Sequence, residues 1–164
     1  FPYFVHLICE KTLWSWFSDP VRSISKTDPK HYETGLKEAS QSAAPELKEP
    51  YEEAASKYAL DGEMIVWALA TGDLLEKQIK VIHKDFIQLY ESDLAVCRPK
   101  KCLNQSQISA RLGLFLTPTY GSMVKRPRRS YYTFTEKRMR GYARLRAELR
   151  GIQLRPDHPL IRLP

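Results

Sequence analysis

Cysteine, glycine and long apolar runs are all scarce in this chain, and each shortage excludes a class of protein. Its 164 residues include three cysteines, an odd number that argues against a secreted disulfide scaffold. Its seven glycines are too few for the tight turns of an α/β enzyme. No apolar run approaches the roughly 18 residues that cross a membrane, so we expect no membrane span.

Motifs that bind metals or carry out catalysis are also missing. The sequence has no Gly-rich phosphate loop, no GxSxG and no HExxH. The four histidines form no zinc pattern, and Cys97 and Cys102 would need two further ligands to hold zinc. Free or structural thiols, a Cys97–Cys102 disulfide and a metal site are the alternatives for this pair. We therefore expect a protein that is not an enzyme and that uses no cofactor and no metal.

Acidic residues are nearly absent from the second part of the chain. Residues 95–164 contain 16 Lys and Arg against 3 Asp and Glu, whereas residues 1–94 contain 10 against 16. The two parts therefore carry +13 and −6, which add to the net charge of +7. Arginine supplies 12 of the 16 cations, and its planar guanidinium suits phosphate and stacks on bases. A basic segment of this kind predicts a nucleic-acid partner.

Apolar periodicity and turn residues predict an all-α fold. Asp28 and Pro29 mark one helix start, as an N-cap followed by proline at the first helical position. Leu75, Ile79 and Ile82 begin an apolar stripe at helical spacing, which fits packing within its own domain or binding of a partner. The predicted helices span residues 3–17, 29–41, 45–60 (with a continuation over 63–70), 73–94 and 130–150.

The same patterns divide the chain into five segments. We expect a helical domain, a long amphipathic helix, an irregular basic connector, a basic helix and an extended tail. These segments span residues 1–70, 71–96, 97–128, 129–151 and 152–164 respectively.

One segment of the helical domain resembles an HMG box. Residues 46–55, Glu-Leu-Lys-Glu-Pro-Tyr-Glu-Glu-Ala-Ala, are similar to the E-E-K-x-P-Y-x-x-x-A segment of that family. Lys57 and Tyr58 continue the match, and Pro2 and Phe4 resemble a degenerate form of the box's opening. The resemblance implies a three-helix HMG-box-like domain over residues 1–70.

A second segment resembles the start of another box. Residues 125–134, Lys-Arg-Pro-Arg-Arg-Ser-Tyr-Tyr-Thr-Phe, are similar to the K-R-P-x-S-A-Y-x-x-F opening of the family. Glu136, Lys137 and Arg138 follow where the family has similar charges, and the match covers only the start of this truncated second box. Two boxes joined by a helical connector resemble the layout of the two-box mitochondrial DNA-packaging proteins.

These observations favour a non-catalytic structural protein of a large ribonucleoprotein, with the mitochondrial ribosome as the preferred particle and the mitochondrial matrix as its location. The start at Phe1 rather than Met is consistent with a removed transit peptide. The box-like part is acidic, so we expect it to contact neighbouring proteins while the basic part binds ribosomal RNA. The cations expected to contact nucleic acid are Arg98, Lys100, Lys101, Arg111, Lys125, Arg126, Arg128, Arg129, Lys137, Arg138, Arg140, Arg144, Arg146 and Arg150.

Two alternative functions stay open. The first is an HMG-box protein that binds and packages DNA. The second is an accessory subunit of a mitochondrial respiratory or ATP synthase complex, whose long helix packs on neighbouring subunits.

Overall fold

The computed structural model describes residues 2–20, 26–92 and 101–154, and the fold is mostly helical with a small antiparallel sheet. The helices are α1 (Pro2–Phe17), α2 (Pro29–Gln41), α3 (Pro45–Ala70), α4 (Ile79–Glu91), α5 (Gln105–Phe115) and α6 (Met139–Leu149). The strands are β1 (Lys77–Gln78), β2 (Val124–Arg128) and β3 (Tyr131–Phe134). The prediction of a helix-rich fold is thus confirmed, but the expectation that it is all-α is wrong.

The first three helices form where the sequence predicts them. Asp28 begins α2 as expected, since its carboxylate accepts a hydrogen bond from the Lys30 N–H and the His31 ring accepts one from the Asp28 N–H. Gly35 lets α2 approach α1 closely, because a Cβ at this position would lie 2.3 Å from the Thr12 hydroxyl oxygen. Helix α3 runs without a break through Asp61 and Gly62, although the sequence suggested an interruption there.

The predicted long helix over residues 73–94 starts later than expected. Residues 77–78 instead form β1, which pairs with β3 through Lys77 opposite Tyr132 and Gln78 opposite Tyr131. Helix α4 then buries Ile79, Ile82 and Phe86, as the stripe predicts. Leu75 was expected on this stripe, yet it precedes the helix and its side chain is 53% exposed. Strand pairing with a distant segment overrides the local helical pattern here.

The predicted basic helix over residues 130–150 is wrong in its first half. A hairpin occupies this region, with β3 at the centre of a sheet of order β1-β3-β2. Ser130 lies in the turn with a φ of +66°, which is incompatible with a helix. Pro127 falls at an irregularity of the edge strand β2, where a missing N–H costs no ladder bond. The helix α6 begins only at Met139.

The expected irregular connector over residues 97–128 contains a regular helix, α5. Asn104 and Gln107 form a capping box, in which each side chain accepts from the other residue's backbone N–H. Ile108, Leu112 and Phe115 are spaced by one helical turn and are fully buried. Their spacing is a helical signal, so the expectation of an irregular connector is wrong over residues 105–115.

A single hydrophobic cluster joins both parts of the chain. It includes Phe4 of α1, Trp67 of α3, Phe86 of α4 and Tyr142 of α6. Helix α6 contacts α1, α2 and α3, so the basic helix is inserted against the acidic helices instead of extending from them. Gly121 (φ +68°) lies against Pro50, so the Pro-Tyr segment of α3 also packs on the C-terminal half.

Candidate nucleic-acid interface

The cations predicted to contact nucleic acid fall into two groups in the structure. One group binds backbone carbonyls, carboxylates and aromatic rings within the fold, and the other is exposed on the β2–β3 hairpin and beside it. Arg98 and Lys100 lie outside the described residues, and Lys101 is exposed. Both groups contain arginine, so residue type alone does not separate them and the division depends on where the chain folds each segment.

Two arginines of α6 cap the C-terminal end of α3. Arg140 donates from Nε to the Ala70 carbonyl at 3.2 Å and from Nη1 to the Asp73 carbonyl at 3.0 Å. Arg144 donates from Nε to the same Ala70 carbonyl at 3.0 Å and from Nη2 to the Gly72 carbonyl. The last carbonyls of a helix lack N–H partners and carry partial negative charge. A cation there is favourable because it donates the missing hydrogen bonds and offsets that charge. These two arginines therefore stabilise the fold.

Lys77 completes this cap from β1. The Lys77 side chain is 2% exposed, and its ammonium donates to the Ala68 carbonyl and to the Asp85 carboxylate, each at 2.7 Å. Burial lowers the pKa of Lys77, whereas Asp85 raises it and the cations of Arg140 and Arg144 lower it further. Lys77 falls within the helix predicted over residues 73–94 and outside its apolar stripe, so no local pattern pointed to this buried ion pair.

Two further arginines of α6 connect it to the acidic face of α3. Arg150 contacts the Glu63 carboxylate at 3.3 Å, and Arg146 lies 3.8 Å from Glu52 and over the Tyr51 ring. The Tyr51 hydroxyl in turn accepts from Trp67 Nε1 at 3.0 Å. Part of the charge difference between the two halves is therefore used for packing within the molecule.

Arg111 and Arg138 also contact neighbours within the fold. The Arg111 guanidinium lies 3.8 Å from the centroid of the Tyr58 ring. The backbone N–H of Arg138 and its guanidinium Nε both donate to the Glu136 carboxylate at 3.1 Å, and these two hydrogen bonds lower the pKa of Glu136. Both arginines keep part of their surface accessible, so they can add to an external positive field.

The β2–β3 hairpin exposes the remaining cations. Lys125, Arg126, Arg128 and Arg129 are all exposed on β2 and its turn, next to the buried Val124 that anchors the strand. Arg126 and Arg129 form no ion pair with another described residue, and the contact of Arg128 with Glu76 is long, at 3.8 Å, and solvent-exposed. Such an exposed pair contributes little stability, so this surface stays strongly positive.

An aromatic ring lies beneath the hairpin cations. The Arg128 guanidinium lies 3.8 Å from the centroid of Tyr131, which is half-buried on β3. Tyr132, in contrast, is buried on the opposite face and contacts Ser109 at 3.2 Å through its hydroxyl. Four aromatic residues lie between the arginines of this part of the sequence. Tyr131 is near the surface, whereas Tyr132, Phe134 and Tyr142 belong to the core.

Other chemistry is sparse in the part of the chain that the structure describes. In residues 2–20, 26–92 and 101–154, no group of three or more His, Cys, Asp or Glu side chains could hold a metal ion. The thiols of Cys9 and Cys102 are free and exposed, while Cys97 lies outside the described residues. Within the same ranges, no helix has both the length and the hydrophobicity needed to cross a bilayer.

Comparisons of this protein with protein-family models, with curated proteins and with solved structures found no match. The resemblance of residues 46–55 and 125–134 to an HMG box therefore stays a prediction from those residues.

Proposed function

We propose that this protein is a non-catalytic RNA-binding component of a large ribonucleoprotein and that the β2–β3 hairpin is its RNA contact. The observation that carries the proposal is the cluster of four exposed cations on one short strand and turn, Lys125, Arg126, Arg128 and Arg129. Exposed cations bind phosphate because they release condensed counterions from the nucleic acid. The arginines that the fold uses internally are a natural contrast within the same chain.

The stacked pair of Arg128 and Tyr131 favours RNA with unpaired bases as the ligand. RNA-binding surfaces commonly combine cations that follow the backbone with aromatic rings or guanidinium planes on which bases stack. Arg128 already presents its guanidinium plane above a ring, so a base can extend the stack outward. A duplex offers its phosphates to this surface but keeps its bases stacked inside the helix.

The exposed end of α1 supports contacts with neighbouring proteins. Leu13, Trp14, Trp16 and Phe17 at the end of α1 are exposed and line a groove of about 420 Å³ together with Glu10. Exposed apolar clusters of this kind mark interaction surfaces. An assembly in which the hairpin binds RNA and α1 contacts a protein would use two surfaces that share no residue.

The mitochondrial ribosome of the matrix is the particle we propose. Its support comes from the resemblance of two segments to the two-box mitochondrial family, together with the acidic character of the box-like part. DNA packaging is the competing function that the same resemblance raises, and the choice of ligand in the binding assay separates the two.

The experiment compares RNA binding by the wild type and two charge-matched triple variants. Fluorescence anisotropy with a single-stranded RNA, at several salt concentrations, reports affinity and salt dependence. R126Q/R128Q/R129Q removes three hairpin cations and should weaken binding at least about tenfold and reduce the salt slope by about 2. The control K30Q/K37Q/K84Q removes three exposed lysines elsewhere and should leave the slope unchanged.

Three results would contradict the proposal. Equal losses in both triple variants would mean that net charge, and not the hairpin, governs binding. Tighter binding and bending of a short DNA duplex by the wild type would favour the DNA-packaging function. In cells, native particles that migrate unchanged after complete RNase digestion would argue against a ribonucleoprotein.

A further inference from the structure

A cavity of about 270 Å³ lies beside the hairpin, between β2, β3, the start of α6 and the segment before β1. We propose that it binds one nucleotide unit of an RNA strand, with the phosphate against its cations and the base against its apolar wall. This inference rests on the proposed RNA-binding function and adds a defined subsite to it. The hairpin cations Arg126, Arg128 and Arg129 do not line the cavity, so the two sites can be tested separately.

Cations from three elements surround the cavity. Lys125 reaches it from β2, Lys137 from the segment before α6, and Arg140 from the first turn of α6. Lys125 and Lys137 are exposed. Arg140, in contrast, is 4% exposed, and its hydrogen bonds to the carbonyls of Ala70 and Asp73 hold its guanidinium in place. Among the described residues that line the cavity, Glu76 is the acidic one, so these residues together carry a net charge of +2. An anion entering this space meets a preformed positive field that needs no rearrangement of Arg140.

The remaining lining explains why a nucleotide fits better than inorganic phosphate alone. Leu75 and Phe134 contribute apolar surface, and Thr133 contributes a hydroxyl that can donate or accept. Leu75 is 53% exposed. Contact between its apolar side chain and water is unfavourable unless a ligand covers it. A base lying against Leu75 would cover that surface. The volume is slightly below the usual range for small-molecule sites, which suits a single nucleotide.

The test measures binding of adenosine monophosphate, adenosine and the trinucleotide ApApA to the full chain by calorimetry. We expect adenosine monophosphate to bind, adenosine to bind at least about tenfold more weakly, and ApApA to bind more tightly than the mononucleotide. K125Q/K137Q and, separately, L75E should each weaken mononucleotide binding about tenfold. The control K30Q/K84Q removes the same charge as the first variant from other exposed sites and should bind normally.

Arg140 is left intact because it caps α3 and its loss would disturb the fold. Thermal unfolding of K125Q/K137Q and L75E should match the wild type, since all three side chains are exposed. Adenosine binding as tightly as its monophosphate, or unchanged binding in both cavity variants, would overturn the inference. A mononucleotide that binds as tightly as ApApA would assign the site to a free nucleotide and overturn its place on an RNA strand.

The hairpin variant separates this inference from the proposed function. The double variant R126Q/R129Q leaves the Arg128–Glu76 contact in place, so it should weaken RNA binding and keep mononucleotide binding. If the wild type binds RNA through the hairpin but binds no mononucleotide, the cavity inference fails and the function stands. If it binds the mononucleotide but no RNA, the function fails and the cavity remains a nucleotide site.

Discussion

Arg144 and Arg129 provide a direct test of the division between structural and RNA-binding cations. Arg144→Met removes the donors to the Ala70 and Gly72 carbonyls while the methionine keeps most of the packing of the aliphatic stem. Arg129→Met removes one exposed hairpin cation that forms no ion pair with another described residue. We expect Arg144→Met to lose stability and keep RNA binding. We expect Arg129→Met to keep its stability and bind RNA more weakly.

The magnitude follows from which carbonyls lose a partner. A hydrogen bond from a charged group contributes about 1.5–3 kcal/mol. The Ala70 carbonyl keeps Arg140 as a donor and Gly72 is only half-buried, so the loss should be near the low end. We expect Arg144→Met to lower the free energy of unfolding by about 2 kcal/mol and Tm by about 4–8 °C. Arg129→Met should change the free energy of unfolding by less than about 0.5 kcal/mol.

The assay pairs urea unfolding with RNA anisotropy on the same preparations. For Arg129→Met, the salt slope of RNA binding should fall by about 0.7, which corresponds to one phosphate contact on a single strand. For Arg144→Met, the slope should match the wild type below the unfolding transition. The reasoning is refuted if Arg144→Met is as stable as the wild type, or if it reduces the salt slope as much as Arg129→Met does.

Two further variants probe the buried polar groups. Lys77→Met should lower the free energy of unfolding by about 3 kcal/mol in urea unfolding, because it leaves the Asp85 carboxylate without its cation. Adding Asp85→Leu should recover more than half of that loss. A Lys77→Met variant as stable as the wild type would contradict the role of this ion pair. Burial, followed by the Glu63 carboxylate, holds the pKa of Tyr51 well above its usual value of 10.0. The protonated hydroxyl therefore stabilises the fold fully below pH 10.0, and this contribution is lost as the pH rises above 10.0. Tyr51→Phe should therefore lower the free energy of unfolding by about 1–3 kcal/mol at neutral pH, because it leaves the Trp67 N–H without its acceptor. In urea unfolding between about pH 9 and pH 11, this variant should lose less stability than the wild type. An equal loss in both proteins would argue against a raised pKa of Tyr51 as the cause.

Local signals in the sequence were sufficient for most helices. Asp28 and Pro29 fix the start of α2 through contacts within four residues, and Ile79, Ile82 and Phe86 fix the buried face of α4 through their spacing. These features depend on neighbours in the chain, so they can be read without knowing the fold. Ile108 and Phe115 carried the same kind of signal for α5.

The sheet could not be predicted in this way. Strand β1 has two residues, and its pairing with Tyr131 and Tyr132 joins segments more than fifty positions apart. Neither segment has the length or alternation that marks a strand by itself. Only the closure of the chain brings them together, and that closure also buries Lys77.

The sequence by itself determined that the second part of this protein is strongly basic and that its first part is helical and acidic. Only the tertiary structure decided which cations remain available, because burial depends on contacts between distant segments. Arg140 and Arg126 are fourteen positions apart in equally basic surroundings, yet one caps a helix in the interior and the other is exposed on an edge strand. The physical reason is that α6 packs against α3, whose terminal carbonyls attract its arginines, whereas no hydrogen bond joins an arginine of the hairpin to a helix-terminal carbonyl in the described part of the chain.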